Sequence, residues 1–144
     1  MIYLKNFTKL NNREKRVVFK WRNHPKVRTR MFDSKPIPYK KHKSFLNSLK
    51  KSTNLYFLVK KDETCIGVVT LKKDEIGLYS APYKKGAGKI LLEEIAKEAA
   101  RRGLRKIYAQ VFYNNKKALK LYEKYGFKKI GKKRVDKKRD FLGK

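Results

Sequence analysis

The sequence predicts an α/β (α+β) domain with helices flanking a sheet, and three observations predict it. Segments with apolar residues at helical spacing alternate with short runs rich in β-branched and aromatic residues. A strand-like run, Glu75-Ile-Gly-Leu-Tyr-Ser-Ala-Pro82, leads through a glycine-containing turn straight into a helical pattern. The 144 residues contain no long Gly/Pro/Ser linker and no repeat of about 20–50 residues, which fits a single domain over residues 1–144. A chain of this length buries roughly two-thirds of the surface it exposes when unfolded.

The elements follow in order. Leu10, Val17, Val18 and Trp21 recur at helical spacing between Lys9 and Arg22, with Asn11 or Asn12 as N-cap and Pro25 as the stop. Residues 26–38 are irregular, because Pro36 and Pro38 enforce extended backbone. Helical periodicity returns from Tyr39 to Lys51 through His42, Phe45, Leu46 and Leu49. Asn54–Lys60 and Thr64–Lys72 read as an antiparallel hairpin closed at Lys61-Asp62-Glu63, and Lys73-Asp74 leads into the Glu75 strand. Gly88–Arg101 carries Ile90, Leu91, Ile95, Ala96 and Ala99 on one stripe, with Gly103 placed to end it. Lys106–Tyr113 is a strand, Lys116–Lys124 a helix with Ala118, Leu119 and Leu121 on its apolar side, and Phe127–Val135 a further strand.

Composition narrows the function. Forty-one Lys and Arg against twelve Asp and Glu give a net charge of +29. That field attracts anionic ligands such as nucleotides. A nucleic-acid-binding reading is open but not preferred, since the lysines are spread over every segment and no DNA or RNA recognition motif is present. Lysine enrichment with a single glutamine, Gln110, also fits a heat-adapted surface, although the few acids limit ion-pair networks. No apolar run approaches the ~18 residues of a membrane span and the start lacks a secretory pattern, so a soluble, cytoplasmic protein with no membrane partner is expected. Cys65 is the only cysteine. It excludes an intramolecular disulfide and a cysteine metal cluster, and it reads as packing in a buried strand; no metal site is expected.

The chemistry concentrates between Asp74 and Phe127. A turn from strand to helix, Tyr83-Lys-Lys-Gly-Ala-Gly88, gathers backbone N–H groups where the helix dipole favours negative charge, which suits a phosphate. Downstream stands Asn114-Asn-Lys-Lys-Ala-Leu-Lys-Leu-Tyr-Glu-Lys-Tyr-Gly-Phe127. Together these segments resemble the GCN5-related N-acetyltransferase (GNAT) family. Gly86 and Gly88 match the small positions of its pyrophosphate loop, while Tyr83 stands where Gln or Arg is usual. Asn114 or Asn115, Ala118, Tyr122 and Tyr125-Gly126-Phe127 match its second signature.

The resemblance implies an acyl-CoA N-acyltransferase fold: a mixed central sheet whose two middle strands splay to admit acetyl-CoA as cosubstrate. It implies that backbone at Ile76, Leu78 and Tyr79 pairs with the pantetheine arm, and that N–H groups of Lys84, Lys85, Gly86, Ala87, Gly88 and Lys89 hold the pyrophosphate. Asn115 would contact the coenzyme beside the thiol, and Tyr122 would protonate the leaving thiolate, its other reading being a core aromatic. An amine must be neutral to attack, so a base is also sought. Related enzymes carry a carboxylate on the strand before the loop or at the position of Gln110, which cannot accept a proton. Glu75 is the remaining candidate, the alternatives being a merely solvated side chain, an ordered water, or an acceptor that binds already neutral.

For the acceptor, Phe19-Lys-Trp-Arg-Asn-His-Pro25 with Lys41-His42 and Phe45-Leu46 resembles the sugar N-acetyltransferases of pseudaminic acid biosynthesis. Those enzymes acetylate the 4-amino group of a UDP-linked 4-amino-4,6-dideoxy sugar for flagellin glycosylation. Arg22 and His42 would meet the phosphates or the uracil, and Trp21 or Tyr39 the apolar sugar face; each also reads as a core, capping or helix-end residue. Two other readings stand beside it: acetylation of a ribosomal-protein N-terminus, and a non-catalytic basic RNA-associated module. Arg134–Lys144 is basic and short where many relatives carry a longer final strand or hairpin, so the resemblance does not fix the C-terminal edge, nor the part of the acceptor pocket or homodimer contact it would form.

Overall fold

The structure, a computed structural model, describes residues 1–31, 34–112, 115–132 and 139–144. Strands β1 (Ile2–Asn6), β2 (Leu55–Lys61), β3 (Thr64–Lys72), β4 (Glu75–Ser80), β5 (Tyr108–Phe112), β6 (Lys128–Lys132) and β7 (Arg139–Gly143) form one sheet in the order β1-β2-β3-β4-β5-β7-β6. All neighbours are antiparallel except β4 and β5, so the sheet is mixed, as expected. The helices are α1 (Asn12–Asn23), α2 (Pro25–Arg28), α3 (Tyr39–Ser48), α4 (Gly88–Arg101) and α5 (Lys116–Lys124).

Strand alternation divides the interior in two. On one face α4, through Leu91, Leu92, Ile95 and Ala99, packs with Tyr122 of α5 and Phe127 against Val59, Val69, Ile76, Ala109 and Val111. On the other, Val18 and Trp21 of α1 and Leu46 of α3 pack with Phe7 and Leu49 against Leu58 and Val68. The neighbours Leu58/Val59 and Val68/Val69 serve opposite faces, as the two-residue period of a strand requires.

Local signals explain the boundaries. Asn11 caps α1: its side chain accepts from Glu14 N–H at 2.8 Å while Glu14 Oε1 accepts from Asn11 N–H at 2.9 Å. Glu14 is buried and takes two further donors, Lys5 Nζ at 2.7 Å from β1 and Lys60 Nζ at 3.0 Å from β2. His24 ends α1 and caps α2 through Nδ1, which accepts from Lys26 N–H at 3.1 Å, with Pro25 opening that helix. The β2–β3 and β3–β4 turns place Asp62 and Lys73 at φ 55° and 56°.

Strands β1 and β7 add to the expected elements. The C-terminal edge that the resemblance left open is filled from within: Arg139–Gly143 inserts between β5 and β6 and pairs with both, so β6 forms the edge. Val135, Tyr113 and Asn114 lie outside the described residues. Among the described residues, no helix is long and apolar enough to cross a membrane.

Candidate active site

The site begins where the sheet parts. The parallel ladder between β4 and β5 comprises only Glu75 against Tyr108 and Ile76 against Ala109. Beyond it β5 continues on β7, and β4 continues on β3 as far as Ser80. From Gly77 to Ser80 the edge of β4 that faces away from β3 is therefore unladdered among the described residues, and an extended amide chain can add to it as a further strand would. Leu78 and Tyr79 lie on this segment, both half-buried, whereas the buried Ile76 forms the last rung of the ladder with Ala109.

The turn after β4 supplies anion-binding donors. Lys84 N–H, expected to face a pyrophosphate, instead donates to Ala81 O at 2.9 Å and closes the turn, and Gly86 follows with φ +78°, a conformation that disfavours any Cβ. The residue before α4 is the buried Ala87, which offers no side-chain cap. The first helical bond joins Leu91 N–H to Ala87 O at 3.0 Å, so the amides of Gly88, Lys89 and Ile90 have no partner within the helix. They point at the positive end of the helix dipole, beside the exposed Lys84, Lys85 and Lys89. A Cβ on Gly88 would meet Leu121 Cδ2 at 3.0 Å; this close approach seats α5 against the start of α4.

Helix α5 brings Tyr122 inward. Its ring is 4% exposed and meets Phe127 edge-on at 5.0 Å between centroids. Burial pushes the phenol well above its ordinary pKa and the nearby Glu75 charge pushes it further, so the proton stays on the oxygen at neutral pH. Asn115 caps α5, its Oδ1 accepting from Ala118 N–H at 3.3 Å. Glu75 is half-buried, and its Oε1 accepts from Gln110 Nε2 at 2.6 Å. The two positions from which the sequence reading chose a base thus touch each other.

The residues expected to meet the acceptor sit on the opposite face of the sheet. Arg22, in the last turn of α1, lies close enough to the half-buried Tyr79 to oppose the rise that burial causes in its phenol pKa. His42 is 3% exposed and ring-packed between Phe19 and Phe45 at 5.1 and 6.3 Å. Burial first, and Arg22 second, lower its pKa, so of the neutral and charged forms that the expectation allowed, the neutral one is present at pH 7. Trp21, expected to cover a sugar face, is 4% exposed and packed in the core. The aromatic open to solvent beside it is Tyr83 of the turn, 72% exposed and edge-on to Trp21 at 6.4 Å. Tyr39 is 53% exposed at the start of α3 and edge-on to Phe19. The structure thus brings Tyr122, Glu75, Asn115 and the α4 start around the parting strands, and gathers Arg22, His42, Trp21 and Tyr79 beneath them. Among the described residues no cluster of His, Cys, Asp or Glu is placed to hold a metal.

Residues 16–127 match the model of the acetyltransferase (GNAT) family. The chain belongs to that family. This GNAT acetyltransferase is 46% identical over 134 residues to acetyltransferase PseH of Campylobacter jejuni, a span covering 88% of this chain and 85% of the relative. The crystal structure of C. jejuni N-acetyltransferase PseH in complex with acetyl coenzyme A superposes with a TM-score of 0.81 at 34% identity, covering 100% of this chain and 98% of that one. Spermidine N-acetyltransferase of Vibrio cholerae, 21% identical, shares the fold at a TM-score of 0.81 over 99% and 92% of the two chains. The expected family and fold are borne out.

Two features of the site escaped sequence reasoning. The Glu75–Gln110 contact joins residues 35 positions apart, and its faint signal was that Gln110 is the single glutamine of the chain. Tyr83 was noted only as a departure from the loop pattern, whereas it is an exposed aromatic set edge-on to Trp21.

Proposed function

We propose that this enzyme transfers acetyl from acetyl-CoA to the 4-amino group of a UDP-linked 4-amino-4,6-dideoxy sugar, a cytoplasmic step of pseudaminic acid formation for flagellin glycosylation. The observation that carries the reading is the 46% identity to acetyltransferase PseH across most of both chains. The parted strands and uncapped α4 start fit the coenzyme: an unladdered strand edge for its amide-bearing arm, and first-turn amides flanked by lysines for its pyrophosphate.

The coenzyme supplies an activated thioester carbonyl. Glu75 accepts a proton from the acceptor amine as its nitrogen bonds to that carbonyl carbon, directly or through one water. As the carbon–sulfur bond breaks, the sulfur keeps the bonding pair and Tyr122 gives its phenolic proton to the thiolate. Proton return from Glu75 to Tyr122 through solvent restores both groups, and the net products are the N-acetylated sugar and free coenzyme A. Burial suits Tyr122 for this role, because its proton is not lost to water beforehand. Arg22 would meet the diphosphate, with the exposed rings of Tyr83 and Tyr39 flanking the sugar or base.

The test is coenzyme-A release from acetyl-CoA against a panel of UDP-linked 4-amino-6-deoxy sugars, with a ribosomal N-terminal peptide and an acceptor-free control. Turnover on a sugar and none on the peptide is expected. Turnover on the peptide alone assigns the enzyme to protein acetylation, and silence on every acceptor overturns the sugar reading.

A further inference from the structure

The Glu75 carboxylate stands at the point where β4 and β5 separate, and it is held there by an uncharged partner. Ile76 and Ala109 form the last rung of the parallel ladder, and both are buried on the α4 face. Their neighbours Glu75 and Gln110 therefore project toward the other face, half-buried, on the two strands that are about to diverge. A side-chain hydrogen bond of 2.6 Å, Gln110 Nε2 to Glu75 Oε1, spans the strands at that point.

Among the described residues no cation pairs with this carboxylate. Lys72 is opposite Glu75 in the β3–β4 register, yet its ammonium lies over the Tyr56 ring, 5.5 Å from the centroid, and Glu75 takes part in none of the ion pairs among the described residues. In a chain of charge +29 that is a notable environment for a carboxylate. An ammonium partner would favour the ionised form and weaken the group as a base, whereas an amide donor orients it without adding charge. Gln110 has no titratable proton and cannot compete for the one that Glu75 receives. A carboxylate on a free terminal torsion samples a broad, roughly two-fold range, and one oxygen anchored by Gln110 leaves the other aimed in a fixed direction.

We propose that Gln110 is the positioning residue of this site: it anchors Glu75 Oε1 across the parting strands so that Oε2 faces the acceptor amine. The proposal rests on the reading of Glu75 as the base. It assigns to the strand β5 position a supporting role, with the proton acceptor on β4.

Steady-state coenzyme-A release, with acetyl-CoA and the UDP-linked 4-amino-4,6-dideoxy sugar, would be compared for the unaltered enzyme, Glu75→Gln, Gln110→Met, Gln110→Asn and Glu75→Gln/Gln110→Met. Methionine keeps the length of glutamine without the donor, and asparagine keeps the donor but falls one methylene short. Glu75→Gln should lower kcat by about 10²–10⁴-fold, the usual contribution of a positioned base. Each Gln110 variant should lower kcat by about 10–100-fold with KM for both substrates within about twofold, as loss of aim without loss of binding requires. The double variant should be no slower than Glu75→Gln alone, since an anchor has nothing to aim once the base is gone. Full activity in both Gln110 variants beside a slow Glu75→Gln overturns the anchor and leaves the base in place. A further loss in the double variant also overturns it, because Gln110 would then act elsewhere. Full activity in Glu75→Gln removes the base reading and the anchor with it.

Discussion

Replacing Glu14 by glutamine tests how the helical layer is fastened to the first two strands. The carboxylate is 3% exposed and receives Lys5 Nζ at 2.7 Å, Asn11 N–H at 2.9 Å and Lys60 Nζ at 3.0 Å. Burial alone would raise its pKa, but the Lys5, Asn11 and Lys60 donors outweigh burial and bring it from 4.5 to about 2. A carboxylate with a depressed folded-state pKa stabilises the fold above its unfolded value and loses that contribution as pH falls toward the folded value. The fall from 4.5 to about 2 corresponds to about 3 kcal/mol at pH 7, fading between those two pH values. Glutamine keeps a capping oxygen but leaves Lys60, with a side chain 12% exposed, without its counter-charge. The variant should therefore be about 2–4 kcal/mol less stable at pH 7. Urea unfolding followed by the fluorescence of Trp21, the single tryptophan and a buried one, measures this directly across a pH series. The two proteins should converge toward pH 2. A loss below about 0.5 kcal/mol at pH 7, or a difference that does not change between pH 7 and pH 3, would refute the reasoning.

Further outcomes follow from the same geometry. Gly86→Asp places a carboxylate beside the first-turn amides of α4 and forces a Cβ into φ +78°; calorimetric titration should show acetyl-CoA affinity reduced at least about 100-fold, and near-normal affinity would remove the loop from the binding site. Tyr122→Phe removes only the phenolic oxygen, so kcat should fall by about 10²-fold or more while coenzyme affinity changes by less than about threefold; an unchanged kcat would move the proton donor elsewhere. Gly67→Ala puts a Cβ 2.6 Å from both Leu91 Cδ1 and the Tyr79 carbonyl oxygen. Overpacking of this kind costs about 1–3 kcal/mol, visible as a lower thermal midpoint and a weakened α4 dock.

Much of this arrangement was legible because its determinants are local. The Gly86 and Gly88 turn, the α4 stripe and the Asn115 cap are each written within a few consecutive residues, and they gave the proposed coenzyme side. Asn11 rather than Asn12 caps α1 because the box needs Glu14 three positions on, a choice that spacing alone left open. What stayed hidden is non-local. Strand β7 carries little hydrophobic pattern in Arg-Asp-Phe-Leu-Gly and is held by pairing on both sides with β5 and β6. The parting of β4 from β5 depends on a register that ends after two residue pairs. Trp21 and His42 are 4% and 3% exposed, and spacing gives no measure of burial at the end of an amphipathic helix.

The brevity of the β4–β5 ladder has a consequence for cooperativity. Strands β1 to β4 form a meander of neighbouring antiparallel pairs, while β5, β6 and β7 form a second antiparallel leaf, and two parallel residue pairs join them within the sheet. Sub-global opening should run along this seam, with β5 amides exchanging faster than those of β2 and β3. A coenzyme lodged between the leaves, as proposed above, would take the place of the missing rungs. Saturating acetyl-CoA should then slow hydrogen exchange most in β4 and β5, and substrate binding becomes the step that closes the sheet into a single folding unit.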